Sequence, residues 1–210
     1  MSNLSSIEQQ IELAVEILER GGIVAYPTDT VYGLGANPAN EQAIDKIYRV
    51  KRRSRELPLP LLLADVSDLT KVASIVPDIA WQLAERFLPG GLTLVLKKSH
   101  RVPVSVAAGG DTIAVRIPDH PIPTALIRRL GVPLVGTSAN VSGKPSPVTA
   151  DEVFEQLGEE VDLVIDGGRC PGGIESTVID ISGENPTIVR EGIVSLEDIT
   201  KVCGDFFRKI

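Results

Sequence analysis

The chain has 210 residues, 43% of them hydrophobic and 23% charged, and a formal net charge of −7. Those proportions belong to a globular protein with enough residues to bury a substantial core. The acidic total argues against a whole-surface nucleic-acid binder and leaves room for a local basic patch. No apolar run approaches the roughly 20 residues that cross a bilayer. Met1-Ser2-Asn3-Leu4 lacks the features of a secretory signal, so a cytoplasmic setting is expected. Cys170 and Cys203 show no metal spacing, and His100 and His120 are too few for a His-based metal site. Cys170 lies in a Gly-rich loop with no identifiable base beside it, so no catalytic thiol is expected.

In chain order, Ser5-x-x-Glu8 reads as a capping box, with Leu4 just ahead of it. Ile7, Ile11, Ala14 and Leu18 then recur at helical spacing until Gly21-Gly22. Ile23 to Tyr26 reads as a buried strand that Pro27 ends. Thr28, Asp29 and Thr30 follow as a polar turn. Gly33 and Gly35 would let backbone approach a ligand or another segment. Asn40 predicts an N-cap for a helix burying Ala43, Ile44, Ile47 and Tyr48. That helix delivers Arg49, Lys51, Arg52, Arg53 and Arg55, which is positive charge against the overall trend. A solvated helix end would account for the cluster equally well. Leu59 to Ala64 reads as a strand interrupted by Pro58 and Pro60, near a sheet edge at its start.

Asp65 to Val76 predicts a short helix plus turn. Pro77 opens a further helix that Pro89-Gly90-Gly91 breaks. Leu92 to Leu96 and Thr112 to Ile117 read as strands, with loop or short strand at Val102 to Ala108. A helix with Ala125, Leu126 and Leu130 precedes Pro133-Leu134-Val135, which feeds the loop at Ser138. Thr149-x-x-Glu152 is a second capping box, opening a helix to about Leu157. Val161 to Ile165, Ser176 to Ile181 and Thr187 to Arg190 read as strands, the last two antiparallel, before a helix from Ser195. No repeats or linkers divide the chain. The expectation is one α/β domain over residues 1–210, with a twisted, mixed parallel and antiparallel sheet flanked by helices.

Arg116 is anomalous among Ile113, Ala114, Val115 and Ile117. It either faces solvent by alternation or meets an anion, and Arg suits bidentate carboxylate or phosphate binding. Ser138, Asn140, Ser142 and Ser146 share a stretch with Gly143, Pro145 and Pro147, a composition that can cradle an oxyanion. No Walker A, dinucleotide, G-x-S-x-G or H-E-x-x-H pattern occurs. What remains is Ser/Thr loops plus basic side chains, which suits positioning and charge neutralisation in phosphoryl or nucleotidyl transfer. Three loops, around Thr28 to Gly35, Lys51 to Arg55 and Gly136 to Asn140, are expected to face one concave basic pocket for a small acid and a phosphate compound.

Six ordered motifs carry a resemblance. Pro27-Thr28-Asp29-Thr30-Val31-Tyr32-Gly33-Leu34-Gly35, Lys51-x-Arg53, Thr112-x-x-x-Arg116-x-Pro118, Ser138-Ala139-Asn140-x-Ser142-Gly143, Ser176-Thr177-Val178-Ile179-Asp180 and Arg190-x-Gly192 together resemble the YrdC-type threonylcarbamoyl-AMP synthases. The resemblance implies a YrdC-like fold and the condensation of L-threonine, bicarbonate and ATP to threonylcarbamoyl-AMP and pyrophosphate. The product would pass to a downstream tRNA threonylcarbamoyl transferase. Mg2+ would accompany ATP, with no protein metal site. Carried over, Thr30, Arg116, Gly136 and Ser176 would serve threonine. Lys51, Arg53, Thr112, Ser138, Ser146 and Arg190 would serve the nucleotide, with Lys51, Arg53, Ser138 and Asn140 as the catalytic set. Two positions depart from the pattern. The region of Leu62 is apolar where many relatives carry a histidine, and Glu191 stands where proline is common. The end at Ile210 implies the form without the extra C-terminal domain. Two other readings compete. One is an RNA-binding or ribosome-maturation protein using the face around Lys51 to Arg55, against which stand one Trp, three Tyr and four Phe, too few for a stacking platform. The other is a nucleotide-binding paralogue without synthase activity.

Overall fold

The computed structural model describes residues 6–204. Helix α1 (Ile7–Glu19) opens at Ser6, whose side chain accepts a hydrogen bond from the Gln9 N–H. The cap expected at Ser5, and Leu4 ahead of it, lie outside the described residues. Helix α1 buries Ile11, Ala14 and Leu18, the stripe that its period predicts. Strand β1 (Val24–Tyr26) follows, and then β2 (Gly33–Ala36). Gly33 and Gly35 therefore lie within a strand, and what approaches them is another segment. A Cβ on Gly33 would sit 2.8 Å from Tyr26 Cε2, and one on Gly35 would sit 2.7 Å from Tyr26 Cε1. The two glycines make room for the Tyr26 ring across the antiparallel β1–β2 pair.

Helix α2 (Glu41–Lys51) starts at Asn40, whose Oδ1 accepts from the Ala43 N–H at 3.0 Å, and buries Ala43, Ile44, Ile47 and Tyr48 as expected. Its C-cap, Arg52, is left-handed at φ 50°, a conformation that ordinarily selects glycine. The chain continues through β3 (Leu61–Leu62), a 3-10 turn at Val66–Asp68, α3 (Leu69–Val72) and α4 (Asp78–Phe87). Next come β4 (Leu92–Lys97), β5 (Thr112–Arg116), α5 (Pro121–Leu130) and β6 (Leu134–Ser138), with turns over 101–108. The last elements are α6 (Ala150–Leu157), a 3-10 turn, β7 (Leu163–Val164), β8 (Thr177–Asp180), β9 (Thr187–Arg190) and α7 (Leu196–Cys203). Thr149 caps α6 as expected, but Glu152 reaches back to the Val148 N–H, one residue ahead of the usual capping-box partner. The N-cap of α7 is Ser195.

The strands form one sheet in the order β7-β1-β2-β6-β3-β5-β4-β8-β9. It is mixed: β1/β7, β3/β5 and β4/β8 run parallel, and the other neighbours run antiparallel, including β8/β9 as expected. Strand β3 corrects the expectation of an edge, because it lies between β6 and β5. Pro58 and Pro60 shorten its ladder without exposing it. Leu59 N–H donates to Val106 O at 2.9 Å, Pro60 O accepts from Gly136 N–H at 3.0 Å, and Leu63 N–H donates to Arg116 O at 2.9 Å. A proline loses its donor and keeps its carbonyl, so pairing on the carbonyl side survives.

Two cores follow from the alternation of the strands. Leu18 of α1 and Leu126 of α5 pack with Val24, Tyr26, Leu62 and Leu134. The larger core gathers Ile44 and Ile47 of α2 with Leu34, Leu61, Leu94, Val115 and Ile179. The residues that alternate with those core positions on β4, β5 and β8 point the other way. Thr93, Val95, Ala114, Arg116, Ser176 and Val178 form the floor of an open cavity. No helix among the described residues is long and apolar enough to cross a membrane.

Candidate binding cavity

The cavity has a volume of about 670 Å3. Beyond the sheet floor, its wall includes Thr28, Thr30, Lys51, Arg53, Leu62, Gly136, Ser138, Asn140, Ser142, Lys144, Glu175 and Arg190. All three loops expected to meet do so. Among the described residues, the lining cations are Lys51, Arg53, Arg116, Lys144 and Arg190, against the single carboxylate of Glu175. The wall is thus cationic within an acidic chain.

Arg116 is 8% exposed, so alternation does not turn it to bulk solvent. The end of β5 holds it over the turn that follows β1. Its Nη2 donates to Asp29 Oδ1 at 2.6 Å, Nη1 to Thr30 Oγ1 at 2.8 Å and Nε to Gly90 O at 2.9 Å. The hydroxyl order is then set. Thr28 Oγ1 donates to Val31 O at 2.7 Å, so Thr30 donates to Thr28 across 3.0 Å and accepts from Arg116. Asp29 Oδ1 also accepts from the Asp119 N–H at 3.1 Å. Each terminal nitrogen of Arg116 keeps one N–H beyond these bonds, and the side chain lines the cavity. Spare guanidinium N–H groups suit carboxylate or phosphate oxygens.

Lys51 ends α2 and is 1% exposed. Its ammonium donates to the Ser138 carbonyl, to the Asn140 carbonyl at 2.7 Å and to Asn140 Oδ1 at 3.1 Å. The three donors of the cation therefore tie the end of β6 to α2, and the Lys51 carbonyl accepts from the Ser142 N–H at 2.8 Å. Burial, and then the nearby Arg53 cation, push its pKa down to about 7, while Glu175 pulls upward. Asn140 continues the clamp through Nδ2 to Lys144 O at 2.6 Å. Ser138 is the last residue of β6 rather than part of a loop, and its hydroxyl donates to Asn140 Oδ1. Arg53 is half-buried and donates from Nη2 to Pro58 O at 3.0 Å. Its Nε is buried without a hydrogen-bond partner.

Ser176 Oγ lies 2.8 Å from Thr93 Oγ1 on the floor. Arg190 donates from Nε and Nη2 to the Ser176 carbonyl at 3.1 and 2.9 Å. Two expected residues stand apart from the wall. Thr112 shares the face of Ala114 and Arg116 but lies at the far end of β5, opposite Lys97. Ser146 sits one layer back, donating to Glu175. Gly136 is packed against Leu62, since a Cβ there would lie 2.4 Å from Leu62 Cγ. Leu62 lines the cavity with its apolar side chain at the departing position. The basic stretch does not form one face. Lys51 and Arg53 turn inward, Arg55 pairs with Asp45 at 2.6 Å over the Tyr48 ring, and Arg49 and Arg52 are exposed. Cys170 and Cys203 are buried, and burial raises both thiol pKa values, that of Cys203 to about 11.

Sequence reasoning gave no site role to Asp29, Thr93, Lys144 or Glu175. Thr93 could have been found, because it alternates with Leu92, Leu94 and Leu96 and so faces away from the core that they enter. Asp29 and Glu175 stand beside residues that were singled out, and nothing local says what their carboxylates face.

The open sheet face is bordered by five basic side chains, with the buried Arg116 at one end. The chain belongs to the Sua5/YciO/YrdC family, whose model, described as "Telomere recombination", matches residues 16–192. It is 44% identical over 198 residues to threonylcarbamoyl-AMP synthase of Pyrococcus abyssi, covering 94% of this chain and 58% of that relative. The threonylcarbamoyl-AMP synthase of Bacillus subtilis is 43% identical over 202 residues, with 96% and 58% covered. The structure of P. abyssi Sua5 complexed with L-threonine matches the fold with a TM-score of 0.91 at 43% identity, covering 95% of this chain and 58% of that one. The chain thus spans less than two thirds of the length of these relatives.

Proposed function

We infer that the cavity condenses L-threonine, bicarbonate and ATP into threonylcarbamoyl-AMP, releasing pyrophosphate, and so acts as a nucleotidyltransferase in tRNA modification. The observation that carries this reading is the pairing, in one cavity, of Arg116 with its two spare donors and Arg53 with its orphaned buried Nε. The first fits an amino-acid carboxylate and the second an oxyanion. Relatives named threonylcarbamoyl-AMP synthase and the threonine complex of P. abyssi Sua5 support the same assignment.

In this reading Arg116, Thr30 and Ser176 hold threonine, with Arg116 on its carboxylate and Gly136 giving backbone beside it. The threonine amine and bicarbonate form a carbamate with loss of water. A carbamate oxygen then attacks the α-phosphorus of ATP, and the bond to the pyrophosphate oxygen breaks. Arg53, Ser138, Arg190 and, behind them, Ser146 neutralise and align the phosphates. Lys51 acts through the segment it clamps, because its three donors already have protein acceptors. Thr112 would need to reach a part of the nucleotide that extends past the end of the floor. The wall offers one carboxylate, so Mg2+ fits as a companion of the phosphates rather than as a protein-held ion. The product would leave for a tRNA threonylcarbamoyl transferase, in the cytoplasm.

Pyrophosphate release tests this. It should require threonine and bicarbonate together with ATP and Mg2+, and Arg116→Ala should abolish it. Release that ignores threonine, or none at all with nucleotide still bound, would turn the reading to a paralogue without synthase activity. Salt-sensitive RNA binding without nucleotide binding would turn it to an RNA-binding protein.

A further inference from the structure

Among the described residues, Glu175 is the one acid on a wall of five cations. It lies just ahead of β8, and its main chain is fixed, with the Glu175 carbonyl accepting from the Ile193 N–H at 2.9 Å. Among the described residues, its carboxylate is held by two side chains. Oε1 accepts from Ser146 Oγ, and Oε2 accepts from Arg190 Nη1. The side chain is 32% exposed and lines the cavity. Arg190 has spent its other edge, since Nε and Nη2 both donate to the Ser176 carbonyl. The Nη1 side is what remains for a ligand, and Glu175 covers it.

A guanidinium N–H and a hydroxyl that converge on one oxyanion accept a carboxylate or a phosphate oxygen alike. We propose that Ser146 and Arg190 form a phosphate-oxygen subsite whose occupant in the ligand-free protein is the Glu175 carboxylate, and that a phosphate of the nucleotide or of pyrophosphate enters by displacing it. This rests on the nucleotide reading above. Each occupant excludes the other, because two anions on one N–H edge repel. The apparent affinity for phosphate is therefore lowered by the fraction of time that Glu175 occupies the subsite. The carboxylate keeps Arg190 neutralised when the cavity is empty, and its return helps pyrophosphate leave.

The test is calorimetric binding of inorganic pyrophosphate, without divalent metal, to the wild-type chain, Glu175→Gln, Glu175→Ala and Glu175→Gln/Arg190→Ala. Both single variants should bind pyrophosphate roughly tenfold more tightly than wild type, and the gain should vanish in the double variant. Equal or weaker binding in the single variants would overturn the exchange. In a repeat with Mg2+, weaker pyrophosphate binding by the single variants than by wild type would also overturn it, by making Glu175 a metal ligand. The two readings fail separately. Wild-type pyrophosphate release that needs threonine and bicarbonate, with no gain in Glu175→Gln, sinks the exchange alone. A gain without any turnover sinks the synthase reading and keeps the subsite.

Discussion

Arg116 and Lys51 are both buried cations, and they are neutralised in opposite ways. Arg116 has a carboxylate, Asp29, at 2.6 Å. Lys51 has three oxygen acceptors and, among the described residues, no ion pair, so its charge is the less favoured state on burial. Asp29→Asn would leave Arg116 with an amide in place of its counter-charge. We expect a loss of about 1–3 kcal/mol in urea unfolding, together with weaker threonine binding by calorimetry. Lys51 predicts a pH dependence. In the unfolded chain it keeps its proton to near the ordinary value of 10.5, and in the folded chain it releases it near 7. Between those values the unfolded state binds more protons, so the stability contributed at this position rises with pH. The urea midpoint of wild type relative to Lys51→Met should therefore increase from about pH 7 to about pH 9.5. A flat difference would mean that Lys51 stays protonated, held by its three acceptors.

At the scale of elements, local rules explain most of the helices, and long-range contact explains most of the exceptions. Asn40, Thr149 and Ser195 each cap the helix that their sequence positions announce. Strand β2 was not legible, because Gly33-Leu34-Gly35-Ala36 has poor strand propensity on its own. It exists because β1 and β6 pair with it on both sides and the Tyr26 ring fills the space that its glycines leave. Gly33→Ala should cost about 1–3 kcal/mol through overpacking against that ring, read as a fall in the urea midpoint. Arg52 makes the converse case. It caps α2 at φ 50° and is exposed, so its side chain gains little from a strained backbone. Arg52→Gly should stabilise the chain by about 0.5–1 kcal/mol in the same assay.

For the whole molecule, the sheet is covered unevenly. Helices α1 and α5 pack on one part of it, and the face bearing Thr93, Val95, Ala114 and Val178 stays open as the cavity floor. Substitutions there should separate folding from binding. Ala114→Phe projects into open space rather than into either core. It should leave the unfolding midpoint within the range of about ±0.5 kcal/mol typical of surface changes, while abolishing nucleotide binding measured by calorimetry. A large loss of stability would mean that the floor is packed.

The sequence alone determined the α/β alternation, the caps, the mixed sheet expected from the β8–β9 pair, and the polar or basic character of the three segments that line the cavity. These are properties of spacing and residue type, legible one segment at a time. It also marked Arg116 as anomalous, because a cation among β-branched neighbours is visible locally. Only the tertiary structure decided that Arg116 faces Asp29, that Lys51 spends its donors on the end of β6, and that Glu175 lies against Arg190 and Ser146. It also put β3 in the middle of the sheet, set Thr112 off the wall and split the basic stretch between cavity and solvent. The partners in these contacts are separated by up to 89 residues. Their juxtaposition depends on strand order and register, which set what each side chain faces and which no local period records.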